Sequence, residues 1–441
     1  MNCRALWILL PCSLLANGAA AEPLTVDQCV EIALSRSASI DEAEAKVKQH
    51  EAVLAEVESS YYPKLAGIAF VAPMYTVRGD INSYERKWKS LNHWGPYTYL
   101  EALLAQPLYT FGRVEAGEKA ASARAAVERA RVREAELVVA LEVRRLYFLR
   151  LFALSMLPAL DNAASILDEA QEKGEEEYAK SSGEITQVDL MKLSYGASEI
   201  SKFQIAARAG AALALSALKH TMGLAESEPL ELADQRLPRL DDYDPPGLTA
   251  MLTEAKANRP EWIQITSGKE AAAALERAEL LAMAPVLLLA GQIHWTWTPM
   301  RDDLENPYQY DPHNDLYGGV ALALNFNLDP ALAYAKADKA RALHQEVEAL
   351  EQFASTGIPL RVRKAYDEVI RFREVVTLSQ DGVKSTTKWM EFAGAAYMLG
   401  TGEAKDLLEG LVAFLQAKQS YYENLQNYYI ARAELDFAVG R

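Results

Sequence analysis

The second half of this chain repeats the first at an offset of about 220 residues, and few folds can be assembled from two such halves. Pro63 and Pro285 each end a helical pattern. Lys119-Ala120 pairs with Lys339-Ala340, and Val143-Arg144-Arg145-Leu146-Tyr147 pairs with Val362-Arg363-Lys364-Ala365-Tyr366. Tyr178 pairs with Tyr397, and Asp189 lies close to the partner of Asp406. Alanine-rich helices align with almost anything, so it is the common order and near-constant offset that set these matches apart. Residues 22–223 form the first repeat and 248–441 the second. Residues 224–247 hold Pro229, Pro238, Pro245 and Pro246 and read as a linker.

Each repeat has the same texture. A helix with a Thr25/Asp27 cap signal runs to about Tyr62 and stops at Pro63. Aromatic and β-branched residues over 65–111 predict a strand pair around a polar loop from about Arg78 to Pro96. Gly112-Arg113 then opens a long helix to about Lys180, which Pro158 is expected to kink or break. A turn at 181–189 leads into a helix ending near Met222-Gly223. The second repeat gives a helix from Leu248 to Ala284, a strand pair over 286–328 with a loop at Met300–Asp315, a long helix Ala331–Tyr397, a turn at 398–409, and a helix Lys405–Val439. Long helices of about 65–70 residues span roughly 100 Å, and two short ones end to end match one long one. The fold class is mainly α with a small β part.

The net charge of −16 argues against nucleic acid as a main partner. Arg4, the apolar run Ala5–Leu10 and Ala19-Ala20-Ala21 predict a signal peptide over 1–21. Of three cysteines, only Cys29 lies beyond that segment, so neither an intrachain disulfide nor a Cys-rich metal site is expected. Cys12 follows Pro11 where a lipoprotein signal places a small residue. Nothing after the signal peptide is apolar enough, for long enough, to span a membrane as a helix, so any spanning part must be a closed β-barrel.

The second strand pair fits that requirement. Val320, Leu322, Leu324, Phe326 and Leu328 alternate with Gly319, Ala321, Ala323, Asn325 and Asn327. Ile293, Trp295 and Trp297 alternate with Gln292, His294, Thr296 and Thr298, and the tryptophans suit an interfacial girdle. The same alternation fits a half-buried sheet of a soluble domain. In lipid, four strands per chain need several copies to close, and three copies give 12.

At the tips, Gly183 marks the first turn, and Gly400 and Gly402 are candidates for the φ > 0 positions that reverse the chain at the second. Asp406 and Glu409 are three apart and share one helical face, either as functional acids or as complements to the helix dipole. Tyr397 is a gate residue or a packing residue. Arg144, Arg145, Arg363 and Lys364 are expected to pair with nearby acids. The six histidines do not cluster at metal-ligand spacing, and no nucleophile elbow or P-loop points to an enzyme or a cofactor.

Gln106-Pro107-Leu108-Tyr109-Thr110-Phe111-Gly112-Arg113, Asn258-Arg259-Pro260-Glu261, the two glycine tips and the duplication together resemble the TolC-type outer-membrane efflux proteins over essentially the whole mature length. The resemblance implies a homotrimer whose 12-stranded transmembrane β-barrel spans the outer membrane and continues into the periplasm as a long α-helical barrel. It implies a passive duct, not an enzyme, joined by a periplasmic adaptor (a membrane fusion protein) to an inner-membrane transporter that supplies energy and selects cargo. Asp406 and Glu409 fall where the family rings its constriction with acids, and Tyr397 and Asp189 where neighbouring helix pairs are held shut. Gly402 replaces a basic residue used for a second closing link, and Lys405 sits beside the acidic ring. The competing expectation is a soluble periplasmic coiled-coil scaffold or adaptor. An adaptor needs one compact lipoyl-like β module and usually an inner-membrane anchor, whereas strands here occur twice.

Overall fold

A computed structural model of the chain describes residues 23–76, 93–180, 185–303, 308 and 310–441. The expected signal peptide, nearly all of the first polar loop and Gly183 lie outside the described residues. The helices are α1 (Val26–Arg36), α2 (Ala38–Glu58), α3 (Arg113–Ala179), α4 (Gln187–Thr221), α5 (Leu248–Asn258), α6 (Pro260–Leu280), α7 (Pro330–Met398) and α8 (Ala404–Val439). The strands are β1 (Lys64–Tyr75), β2 (Trp94–Tyr109), β3 (Val286–Trp297) and β4 (Asp315–Asn325). Element lengths repeat as well as order: α1 and α5 have 11 residues each, α2 and α6 have 21, and α3 and α7 have 67 and 69.

Two local expectations are corrected and a third is narrowed. Each short helical stretch is two helices. The first breaks at Ser37, which is extended at φ −72°, ψ 123°. The second breaks at Arg259, where Pro260 as first helical residue forces its predecessor into the extended region (φ −68°, ψ 125°). Pro158 does not break α3, and Pro359 lies likewise inside α7. In a helix this long the hydrogen bonds and packing on either side outlast one missing N–H. The first polar loop ends early, because Trp94-Gly95-Pro96 already belong to β2.

The chain divides into two compact units, and each combines segments from both repeats. One holds the described residues up to Asp41 with Ala135–Asn258 and Ile358–Arg441; the other holds Glu42–Glu134 and Arg259–Gly357. In the first unit, α3, α4, α7 and α8 bury a core of Leu160, Leu167, Leu193, Met390, Leu407, Leu411 and Phe414 among alanines. Small residues set the spacing: a Cβ on Gly196 would lie 2.9 Å from Leu408 Cδ2. The linker is fastened across this unit. Leu24 exchanges backbone hydrogen bonds with Glu231 and Ala233 at 2.9 and 2.8 Å. Tyr147 donates to Asp234 at 2.8 Å, Tyr428 to Asp241 at 2.7 Å, and Tyr429 to the Arg239 carbonyl at 2.7 Å. Arg144 pairs with Asp27, Arg145 with Glu434, Arg363 with Asp367 and Lys364 with Glu368, so these cations are spent on neighbouring acids.

Burial, then the hydrogen bond to a carboxylate, raises the Tyr147 and Tyr428 phenols well above the ordinary range; burial above all pushes Tyr429 up to about 12. The folded state therefore holds these protons more tightly than the unfolded one. Their contribution is full below pH about 10 and is lost progressively as pH rises above it, for Tyr429 through about 12. The melting temperature is expected to fall as pH climbs above about 10. The fall should be shallower when all three are changed to Phe. Identical slopes for the two proteins, followed by circular dichroism, would count against this assignment.

In the second unit, the sheet has the order β1-β2-β3-β4, antiparallel throughout. Its helices are linked by Arg129–Glu51 at 2.7 Å, Lys119–Glu270 at 3.0 Å and Arg341–Glu276 at 2.7 Å. Such exposed pairs contribute about 0–1 kcal/mol each, so close approach at Gly117 against Val57 and Gly268 against Val347 does more to set the packing.

Candidate functional site: a two-faced sheet and a glycine-turned tip

The strand register assigns every side chain of the sheet to one of two faces. Leu65, Ala69 and Val71 of β1 share a face with Leu100, Ala102 and Leu104 of β2. Leu287, Leu289, Ile293 and Trp295 of β3 continue it, then Leu316, Val320, Leu322 and Leu324 of β4. Among the described residues, no charged strand residue lies on this face. Tyr75, Trp94, Trp295 and Trp297 mark one end of it and Tyr109 the other. From Leu287 to Trp295 is roughly 26 Å of strand, the height of an outer-membrane apolar band. Lys64, Glu101, His294 and Asp315 all fall on the opposite face. The expected alternation of Trp295 and Trp297 with His294 and Thr296 is present: both tryptophans are exposed, and His294 and Thr296 are buried. Val320, Leu322 and Leu324 are exposed as well. Phe326 and Leu328, expected in the same strand, are exposed beyond its end. The last pair is Val286↔Asn325, and the next position across is Pro285, which has no N–H to offer.

The turn from β2 into α3 explains the Gln106–Arg113 motif. Phe111 and Gly112 are both left-handed, at φ 52° and 86°. Thr110 donates to Glu115 at 3.1 Å, and Gln106 donates to the Tyr61 carbonyl at 2.8 Å. The second repeat uses another device: Asp329 accepts from the Leu332 N–H at 3.1 Å, with Pro330 as first helical residue.

At the tip, α7 ends in a Schellman turn. Gly400 is left-handed at φ 74°. Its N–H donates to the Tyr397 carbonyl at 3.0 Å, and the Thr401 N–H donates to the Ala396 carbonyl at 2.9 Å. Gly402 is not left-handed, contrary to expectation. It is required by close approach, since a Cβ there would lie 2.9 Å from Ala396 Cβ and 3.0 Å from the backbone of Ala396 and Tyr397. Ala404, Leu407 and Leu411 turn α8 to the core, which leaves Asp406 and Glu409 exposed on its other side. Lys405 Nζ lies 3.8 Å from Glu409.

Tyr397 is 3% exposed, and its hydroxyl donates to the Ala170 carbonyl of α3 at 3.2 Å. It lies over Gly174, where a Cβ would come within 2.8 Å of the hydroxyl. Burial first, and the Asp189 charge second, raise its pKa. Asp189 forms a capping box at the start of α4. It accepts from the Thr186 hydroxyl at 2.6 Å and its own N–H donates to Thr186 Oγ1 at 3.3 Å, while Lys192 pairs with it at 3.1 Å. These hydrogen bonds, the Thr186 hydroxyl foremost, lower its pKa. Sequence reasoning missed Ala170 and Gly174 because neither carries chemistry of its own.

The fold is that of bacterial outer-membrane channels. The Campylobacter jejuni CmeC outer-membrane channel aligns with a TM-score of 0.77 at 17% identity, over 94% of this chain and 85% of that one. The outer-membrane protein VceC of Vibrio cholerae gives 0.71 at 15%, over 94% and 96%, and the open state of the Neisseria gonorrhoeae MtrE channel gives 0.69 at 17%, over 94% and 88%. No protein-family model and no curated protein matches the sequence.

Proposed function

We propose that this chain is the outer-membrane exit duct of an export pathway. Three copies close a 12-stranded barrel in the outer membrane, and the helices reach into the periplasm. The observation that carries this reading is the segregation of the sheet: an uncharged apolar face on four strands whose two outer edges, β1 and β4, have no partner strand among the described residues. Lipid does not tolerate such edges, so further copies must satisfy them. The likeness in fold to CmeC, VceC and MtrE supports the same reading.

At the periplasmic mouth, Asp406 and Glu409 from three copies form an acidic ring that favours cations. Tyr397 and Asp189 hold the closed tip, and the turns at Gly183, Gly400 and Gly402 meet a periplasmic adaptor, which couples the duct to an inner-membrane efflux transporter. Opening would strip the Tyr397 hydroxyl from the Ala170 carbonyl. In planar bilayers, Asp406→Asn with Glu409→Gln is expected to lower the cation-to-anion permeability ratio severalfold toward unity. Unchanged reversal potentials in a salt gradient would overturn the ring, and recovery of the protein in soluble periplasm would overturn the duct.

A further inference from the structure

The polar face of the sheet carries a second constellation, distant in sequence from both tips. Phe70 of β1 stacks on Tyr99 of β2 with ring centres 4.9 Å apart and planes at 14°. Tyr99 meets His294 of β3 edge-on at 5.1 Å, and His294 stacks on Tyr317 of β4 at 4.7 Å. One aromatic line thus crosses all four strands. His294 is 6% exposed, its Nε2 has no hydrogen-bond partner among the described residues, and its ring is packed between Tyr99 and Tyr317.

One step along the same face lies Glu101, directly across from His294 in the register. Tyr99 donates to Glu101 Oε2 at 2.7 Å and Gln292 donates to Oε1 at 3.2 Å. Both donors are neutral. They fix the carboxylate without cancelling its charge, and it keeps acceptor capacity to spare. The outer aromatics, Phe70 and Tyr317, are each more than two-fifths exposed and offer their faces to whatever passes.

A fixed carboxylate beside exposed aromatic faces is the chemistry that holds an organic cation: the charge pairs with the carboxylate, the ring quadrupoles attract the same charge, and the apolar body lies on the rings. We propose that Phe70, Tyr99, Glu101 and Tyr317 form a binding station for organic ammonium ions on the inner wall of the barrel. The site is complete within one chain; its place on an inner wall rests on the duct reading.

The test uses the full chain in detergent, titrated with benzyltrimethylammonium and followed by saturation-transfer NMR. Glu101→Gln is expected to weaken binding about fivefold or more, and Glu101→Asp to keep most of it. Tyr99→Leu should weaken it too. Equal binding by the wild type and Glu101→Gln would overturn the station. In planar bilayers, the same cation added on the barrel side should reduce the wild-type current more than the Glu101→Gln current. Silent bilayers with Glu101-dependent binding would remove the duct and keep the station; conducting bilayers with Glu101-independent binding would do the reverse.

Discussion

Leu322→Arg is expected to abolish assembly into the membrane, while Ala321→Arg, one residue away, is expected to permit it. Leu322 lies on the uncharged face of β4, seven-tenths exposed, level with Leu289 of β3. If the chain is the duct proposed above, that face is the lipid side, where an arginine near mid-depth costs about 2–4 kcal/mol per chain and three copies multiply it. Ala321 sits on the polar face, opposite Ala290, which in that duct is the water-filled side and accepts a long cation. The measurement is the amount of heat-resistant oligomer in the outer-membrane fraction for each variant. Equal accumulation of both in the soluble fraction would mean that this sheet is an ordinary half-buried one.

Gly223→Val is expected to destabilise the first compact unit by about 3 kcal/mol or more, a large part of the 5–15 kcal/mol typical of a domain. Gly223 ends α4 with φ 69°, donating to the His220 carbonyl at 3.1 Å while Leu224 donates to the Lys219 carbonyl at 2.9 Å. A β-branched residue is strained in that conformation, and its Cβ would lie 2.3 Å from the Arg36 carbonyl oxygen, a backbone atom that cannot swing aside. Gly210, in the exposed interior of α4, is the control: a Cβ there meets nothing within 4 Å, and Gly210→Ala should stabilise by about 0.5–1 kcal/mol. Urea unfolding of the two variants separates the cases. A Gly223→Val midpoint at or above that of the wild type would refute the argument.

Much of the architecture was legible in the sequence, because its signals are periodic and span many residues. The alternation around Trp295 and Val320 and the long alanine-rich helices survive any small error of boundary. What escaped notice depends on contacts between distant segments. Ser37 looks unremarkable in sequence, yet it breaks a helix, and only glycine fits at 223 because the Arg36 backbone comes so close. Gly400 and Gly402 look equivalent as letters; one supplies a left-handed turn and the other a close approach. The tip acids and Tyr397 stood out by type and spacing, but that the Tyr397 hydroxyl would reach the Ala170 carbonyl could not be read from either stretch. The line from Phe70 to Tyr317 needed the register of four strands that lie some 250 residues apart at the extremes.

Because each compact unit draws on both repeats, no N-terminal fragment of this chain can complete one. A chain delivered from its N-terminus would hold β1 and β2 with an unpaired edge until β3 arrives, and would leave the apolar faces of α3 and α4 bare until α7 and α8 are complete. The contacts that complete each unit join distant segments, an arrangement that slows folding. The duplicated plan therefore keeps apolar surface uncovered until the last helices of the chain are made.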